Sequence, residues 1–284
     1  MTSFSVSAPA KINLFLHVGA KRPDGFHALQ SLVAFTEAGD ELSFAPGDGV
    51  SLDIGGPFGK GLSAGEDNLI VRAARALGTS QGAKIVLTKN LPVASGIGGG
   101  SADCAATLRG LSKLWNLGKD SLALQKVGEE LGSDVPVCIT SRPQWMEGRG
   151  EILTELPSLP PLSIVLVNPG VGVPTGKVFG ALKERRGVEL PLPPYFTGAD
   201  HLIGYLKSTS NDLEAPARMI APEVNAVLEA IAGEGALLSR MSGSGATCFG
   251  LFATETDAKA AAEALKAAHA GWWVMPSRLL STLV

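Results

Sequence analysis

The chain has 284 residues and a formal net charge of −3, so it can hold two moderate domains and offers no strongly basic surface for nucleic acid. Its cysteines, Cys104, Cys138 and Cys248, are odd in number and lack Cys-x-x-Cys spacing, which argues against disulfides and a structural zinc. No apolar run reaches the length of a membrane span. We therefore expect a soluble, cytoplasmic protein that acts on a small molecule.

The first predicted strand covers residues 12–18, where apolar and other residues alternate. Lys11 and Asn13 fall on the same face of this strand. A lysine and an asparagine on a strand otherwise suited to a core favour an inner polar pocket, and a solvated edge face is the alternative.

A turn with the sequence Pro-Asp-Gly follows at residues 23–25 and leads into Phe26 and His27. The next strand is expected at 28–35, with short strands at 41–44 and 50–54 and a helix at 68–77. Because a single histidine is more often a surface or core residue than a functional one, His27 is a weak candidate on chemistry alone.

The glycine-rich stretch after the predicted strand 84–89 is the strongest functional signal. Four of the five residues 96–100 are glycine, and a helix with apolar residues at helical spacing is expected to begin near Ser101. Glycines permit close approach to backbone amides, and a helix N-terminus attracts anions, so we predict a phosphate-binding loop rather than a flexible loop ending in a serine cap. Its residues are Pro92, Val93, Ala94, Ser95, Gly96, Ile97, Gly98, Gly99, Gly100, Ser101 and Ala102.

Two better-known glycine motifs are excluded. Every Gly-Lys pair of the chain is followed by a residue other than Ser or Thr, so none forms a Walker A loop. A dinucleotide fingerprint that starts at Gly96 would need glycine where Ser101 stands. The phosphate site therefore belongs to another architecture.

Two acidic residues follow this loop. Asp103, in the first turn of the predicted helix, fits either ordinary dipole chemistry or a role near magnesium. Asp134 is expected at a corner between a helix over 120–131 and a strand over 135–139. It fits a turn or cap, but the apolar sequence after it suggests a buried element, on which a carboxylate would need a cationic partner.

Three prolines between residues 157 and 161 mark the clearest linker. We place a boundary there and predict two domains, 1–157 and 158–284. In the second half we expect strands at 163–167, 236–241, 247–252 and 272–275, helices at 223–232 and 257–268, and a helix that carries Phe179. Residues 187–198 are expected to form an excursion. Strands and helices alternate, which fits a small α+β sandwich.

Three separated segments resemble the GHMP kinases, a family named for galactokinase, homoserine kinase, mevalonate kinase and phosphomevalonate kinase. Residues 9–13 resemble the N-terminal motif of the family, 92–106 its central loop and 242–247 its C-terminal glycine motif. The resemblance implies an α+β fold of two domains. These are an N-terminal domain like ribosomal protein S5 domain 2 and a C-terminal ferredoxin-like α/β sandwich.

Five shorter motifs, at 8–14, 22–27, 98–103, 132–136 and 211–214, are similar to the branch of the family that serves non-mevalonate isoprenoid synthesis. This implies ATP-dependent phosphorylation of the 2-hydroxyl of a cytidine diphosphate-linked methylerythritol. ATP would be the co-substrate, with Mg²⁺ expected alongside it. Phe26 stands where the family commonly has tyrosine.

The resemblance also implies roles for single residues. Asp134 would be the base, Lys11 the cation beside it, and the glycine loop would hold the ATP phosphates. The predicted substrate residues are Asn13, Phe26, His27 and Phe179, while the metal ligands stay unassigned. Two alternatives remain, another GHMP kinase that acts on a small alcohol and a noncatalytic nucleotide-binding module.

Overall fold

The computed structural model describes residues 3–183, 190–191 and 195–280. The first half contains a six-stranded sheet with four helices packed against it. Its strands are β1 Phe4–Lys21, β2 His27–Gly47, β3 Val50–Gly55, β4 Gly82–Thr88, β5 Gln144–Gly148 and β6 Ile152–Glu155. Its helices are α1 Leu69–Ala76, α2 Gly99–Leu114, α3 Ser121–Glu129 and α4 Val135–Thr140.

The strand order in this sheet is β3-β4-β2-β5-β6, and β1 pairs with β2. The β3–β4 pair is parallel, whereas the other pairs are antiparallel. Register shifts interrupt the β1–β2 ladder near Lys11 and again after Asn13. These shifts disturb the strict alternation expected along β1, and its residues from 7 to 19 are buried or nearly so on both faces.

The second half contains a four-stranded antiparallel sheet in the order β10-β7-β9-β8. Its strands are β7 Ser163–Asn168, β8 Leu238–Met241, β9 Cys248–Phe252 and β10 Trp273–Arg278. Its helices are α5 Thr175–Ala181, α6 Ala199–Lys207, α7 Glu214–Ile220, α8 Glu223–Gly233 and α9 Glu255–Ala268. The boundary predicted at 157/158 falls between β6 and β7.

Apolar side chains from both sheets form a common core. Ile12 and Phe15 of β1 belong to the same buried cluster as Ile164 of β7 and Phe249 of β9. Separate clusters lie under α1–α4 in the first half and around α8 and α9 in the second. Strand β1 contributes to all three, so residues on it are held firmly in place.

Several predictions of single elements were wrong. The strands expected at 28–35 and 41–44 are parts of one long strand, β2, and the predictions missed β5 and α6. Residues 135–139 form helix α4 rather than a strand, with Pro136 in its first turn, where the missing N–H costs nothing. Of the twelve residues of the excursion expected at 187–198, six (187–189 and 192–194) lie outside the described residues.

Candidate active site

A cleft of about 1110 Å³ opens between the two halves. The first half lines it with Lys11, Asp134 and the glycine loop. The second half contributes Phe179 and Ser244. The predicted site residues of the two halves therefore face one space.

An ion pair lies in this cleft. Lys11 Nζ donates to Asp134 Oδ2 at 2.9 Å, across 123 residues of sequence. The lysine side chain is only 4% exposed, whereas the aspartate is 37% exposed. The cation is thus buried beneath a carboxylate that solvent, or a ligand in the cleft, can reach.

Lys11 is held by its backbone as well as by its charge. Its N–H donates to the carbonyl oxygen of Ile97 in the glycine loop at 2.9 Å. Its side chain runs beneath Gly98, where an added Cβ would lie 3.1 Å from Lys11 Cβ. The lysine therefore supports the phosphate loop from below while it reaches Asp134.

Asp134 precedes helix α4, whose residues 135–140 are all buried. Two helices thus flank this aspartate, and the predicted helix-to-strand corner is wrong. Burial raises the pKa of the nearby Cys138 thiol, and the negative charge of Asp134 raises it further. The thiol therefore stays protonated.

The glycine loop turns sharply into helix α2. Ala94, Gly96 and Gly98 have φ angles of 51°, 78° and 64°, values that favour glycine. Gly98 caps α2 without a side-chain hydrogen bond, and the helix begins at Gly99, two residues before the expected Ser101. The first amides of α2 therefore remain available to an anion in the cleft.

The C-terminal glycine motif holds this loop from the other half of the protein. Ser242 Oγ donates to the carbonyl oxygen of Gly96 at 3.1 Å, and the Thr247 N–H donates to that of Ser95 at 3.0 Å. A Cβ on Gly96 would lie 2.6 Å from the carbonyl oxygen of Ser242. Glycine at 96 is thus required by the packing of one glycine turn on the other.

Asn13 lies in the cleft wall beside this junction. Its N–H donates to Ser242 Oγ at 3.1 Å, and its side-chain nitrogen donates to Ser31 Oγ at 2.8 Å. These bonds fix the backbone and the side-chain amide of Asn13. The side-chain oxygen, Oδ1, takes part in neither bond.

The predicted aromatic residues gather at one end of the cleft. The rings of His27 and Phe179 stack on each other with centroids 5.5 Å apart. Phe26 is half exposed, and the Arg149 guanidinium lies 5.5 Å from the centre of its ring. A base between His27 and Phe179 would need about 7 Å, twice a carbon contact distance, so these two rings do not leave room for a base between them.

Sequence analysis missed a buried charged cluster at the foot of α2. Lys89 Nζ donates to Asp40 Oδ2 at 2.5 Å and to Asp103 Oδ2 at 2.6 Å. The pattern of β4 could have revealed it, because Lys89, one residue past the end of the strand, continues the alternation of the buried residues Ile85 and Leu87. A lysine on such a face needs a negatively charged partner.

Within the described ranges, no group of three or more His, Cys, Asp or Glu side chains is placed to hold a metal. No helix among the described residues is long and apolar enough to cross a membrane.

Comparison with known families agrees with this geometry. Residues 68–142 match the model of the GHMP kinases N terminal domain, and residues 201–271 match that of the GHMP kinases C terminal region. Fold and site together define a GHMP kinase. A 4-diphosphocytidyl-2-C-methyl-D-erythritol kinase of Cereibacter sphaeroides is 54% identical over 277 residues, covering 96% of this chain and 98% of the relative. The chain belongs to the family of 4-diphosphocytidyl-2-C-methyl-D-erythritol kinases.

Two further comparisons support this assignment. A relative of the same name from Paramagnetospirillum magneticum is 50% identical over 99% of this chain and its own full length. A crystal structure of 4-(cytidine 5'-diphospho)-2C-methyl-D-erythritol kinase, 33% identical, superimposes with a TM-score of 0.78 over 97% of this chain and 99% of that one. The resemblance and the two-domain GHMP kinase fold expected from the sequence are confirmed.

Proposed function

We propose that this protein transfers the γ-phosphoryl group of ATP to the 2-hydroxyl of 4-diphosphocytidyl-2-C-methyl-D-erythritol, giving the 2-phosphate and ADP. The step belongs to non-mevalonate isoprenoid precursor synthesis. The observation that carries the proposal is the Lys11–Asp134 pair, 2.9 Å apart, in the same cleft as the glycine loop. The substrate assignment also draws on the similarity of the chain to 4-diphosphocytidyl-2-C-methyl-D-erythritol kinases.

In this mechanism Asp134 accepts the proton of the 2-hydroxyl as the hydroxyl oxygen attacks the γ-phosphorus and the bond to ADP breaks. Lys11 holds the carboxylate in place through their ion pair and stabilises the negative charge on the transferring group. Because phosphoryl transfer depends mainly on positioning and charge stabilisation, one base and one cation suffice beside the phosphate cradle.

ATP would occupy the loop from Pro92 to Ala102. The first amides of α2 would bind its phosphate oxygens, since the cap residue Gly98 offers them no side-chain acceptor. Magnesium would supply charge neutralisation as part of the MgATP substrate.

The acceptor would be recognised by Asn13, Phe26, His27 and Phe179. His27 Nδ1 lies 3.3 Å from the carbonyl oxygen of Gly19. Since a carbonyl only accepts, a neutral imidazole would carry its proton on Nδ1 and leave Nε2 as an acceptor. That acceptor suits the 4-amino group of cytosine and opposes the 4-oxygen of uracil. Stacking on Phe26 would add affinity that does not depend on the identity of the base.

The domain division at 157/158 is part of the proposal, as are action in the cytoplasm and the lack of a nucleic-acid partner. A kinase for another small alcohol would need Lys11, Asp134 and the loop, but not Phe26 beside His27. A noncatalytic module would keep the glycines without the ion pair. The chain has the glycine loop, the ion pair and Phe26 beside His27. This favours the cytidine diphosphate-linked substrate over both alternatives.

A steady-state assay that follows ADP release tests this proposal. We expect turnover with 4-diphosphocytidyl-2-C-methyl-D-erythritol and none above background with mevalonate or homoserine. Phosphorus NMR should place the new phosphate on the 2-oxygen. Equal or greater turnover with either of the other alcohols would overturn the substrate assignment.

A further inference from the structure

The cluster of Asp40, Lys89 and Asp103 lies directly beneath the phosphate loop. An added Cβ on Gly99, the first residue of α2, would be 3.1 Å from Lys89 Nζ. Asp40 Oδ1 also accepts from the N–H groups of Asn90 and Leu91, at 2.6 and 2.8 Å, where the chain enters the loop. The cluster thus joins both ends of the loop, since Asp103 belongs to α2.

The charges of the cluster do not balance. One ammonium faces two carboxylates, and all three side chains are almost fully buried. The charged side chains that act on the Asp103 carboxyl are Lys89 and Asp40, both within the cluster. An excess negative charge therefore remains within the protein, next to the place where the triphosphate would bind.

The two carboxylates of this cluster differ in their hydrogen bonds. Both oxygens of Asp40 accept, whereas Asp103 Oδ1 is buried and has no donor among the described residues. Burial raises the pKa of Asp103 to about 7, with Asp40 adding to the rise and Lys89 opposing it. Burial lowers the pKa of Lys89, but its two carboxylates outweigh this effect and raise it, so the lysine stays charged.

We propose that this cluster positions the first turn of α2 and couples nucleotide binding to the uptake of one proton by Asp103. The inference rests on the proposed ATP site. A triphosphate at the N-terminus of α2 repels the ionised carboxylate of Asp103. When Asp103 Oδ1 takes a proton from solvent, this repulsion disappears and the nucleotide binds more tightly. Asp103 acts on ATP only through its electrostatic field and through the position of the first turn of α2, so it is a positioning residue.

Isothermal calorimetry tests the coupling, with MgATP titrated at pH 7.5 into buffers of different ionisation enthalpy. If bound nucleotide raises the pKa of Asp103 by one unit or more, the wild type takes up about 0.5 proton per nucleotide. Asp103→Asn should take up close to none. Protons that the nucleotide itself takes up or releases are the same for both proteins. They therefore cancel when the proton uptake of Asp103→Asn is subtracted from that of the wild type. Asp53→Asn, on the exposed face of β3, is the matched control and should behave as wild type.

Affinity supplies a second measurement. The dissociation constant for nucleotide should rise by up to about tenfold between pH 6 and 8.5 in the wild type and stay flat in Asp103→Asn. Equal proton uptake and equal pH dependence in the two proteins would overturn the coupling while leaving the kinase assignment intact. Absence of nucleotide binding in the wild type would overturn the proposed function as well.

Should Asp103→Asn not fold, carbon-13 NMR of aspartate carboxyls in the wild type gives the same information. One carboxyl should titrate near pH 7 and shift to higher pH when nucleotide is added. A spectrum in which no aspartate titrates between pH 6 and 8.5, with or without nucleotide, would refute the proposal.

Discussion

Gly100 offers a test in which stability and ligand affinity should change in opposite directions. It is the second residue of α2, is exposed to the cleft, and an added Cβ would meet only Leu69 Cδ1, at 3.8 Å. Glycine in a helix costs about 0.5–1 kcal/mol relative to alanine. Gly100→Ala should therefore raise the melting temperature of the free protein by roughly 1–4 °C.

The same methyl group would project toward the bound triphosphate. If the amides of α2 hold phosphate oxygens, Gly100→Ala should weaken ATP binding at least about tenfold, or about 1.4 kcal/mol, and Gly100→Val should weaken it more. Gly98 is a poor test position. Its φ of 64° would strain any side chain and confuse folding with binding.

Calorimetric titration with ATP and thermal unfolding of the free protein measure the two effects. Gly204→Ala is the matched control, because this glycine lies in α6, outside the cleft, with open space around its added Cβ. It should gain similar stability and keep wild-type ATP affinity. If Gly100→Val binds ATP as tightly as the wild type, the phosphate cradle has been assigned to the wrong amides.

The remaining predictions concern the base, the acceptor and the buried cluster. Asp134→Asn should lower kcat by roughly 10²–10⁴ with ATP affinity near wild type, and unimpaired turnover in a steady-state assay would refute its role as base. His27→Ala should raise KM and reduce the preference for cytidine over uridine substrates, whereas Phe26→Ala should weaken the binding of both substrates equally. An unchanged preference in His27→Ala would exclude His27 from the base pocket. The pKa of Asp103 is raised from 3.8 to about 7 in the folded protein. The free energy of unfolding of the wild type therefore falls as pH rises through this range. Asp103→Asn should therefore gain stability over wild type between pH 4 and 7 and no more above it, as measured by denaturant unfolding.

Features with a local physical cause were predictable from the sequence. Positive φ angles at 96 and 98, the start of a helix after these glycines and the Pro-Asp-Gly turn before Phe26 all follow from the conformational preferences of short segments. Helices α8 and α9 likewise follow from apolar spacing within one segment. The family resemblance then supplied roles for Lys11 and Asp134.

Local preference failed where distant packing prevails. Residues 135–139 are apolar and three of the five are β-branched, which suits a strand, but α2 and α3 pack against them and they form α4. The strands expected at 28–35 and 41–44 join into one, because β1 pairs with β2 from His27 to Phe44. Such choices depend on neighbours that are far away in the sequence.

By itself, the sequence determined where the glycine loop lies, which residue types could do chemistry, and which family the chain resembles; that the loop binds phosphate stays a prediction. Only the tertiary structure decided which charges meet. Lys11 pairs with Asp134 across 123 residues, and Lys89 pairs with both Asp40 and Asp103 beneath α2. The physical reason is that a buried charge is stable only beside an opposite one, and the topology of the sheet determines which side chains become neighbours.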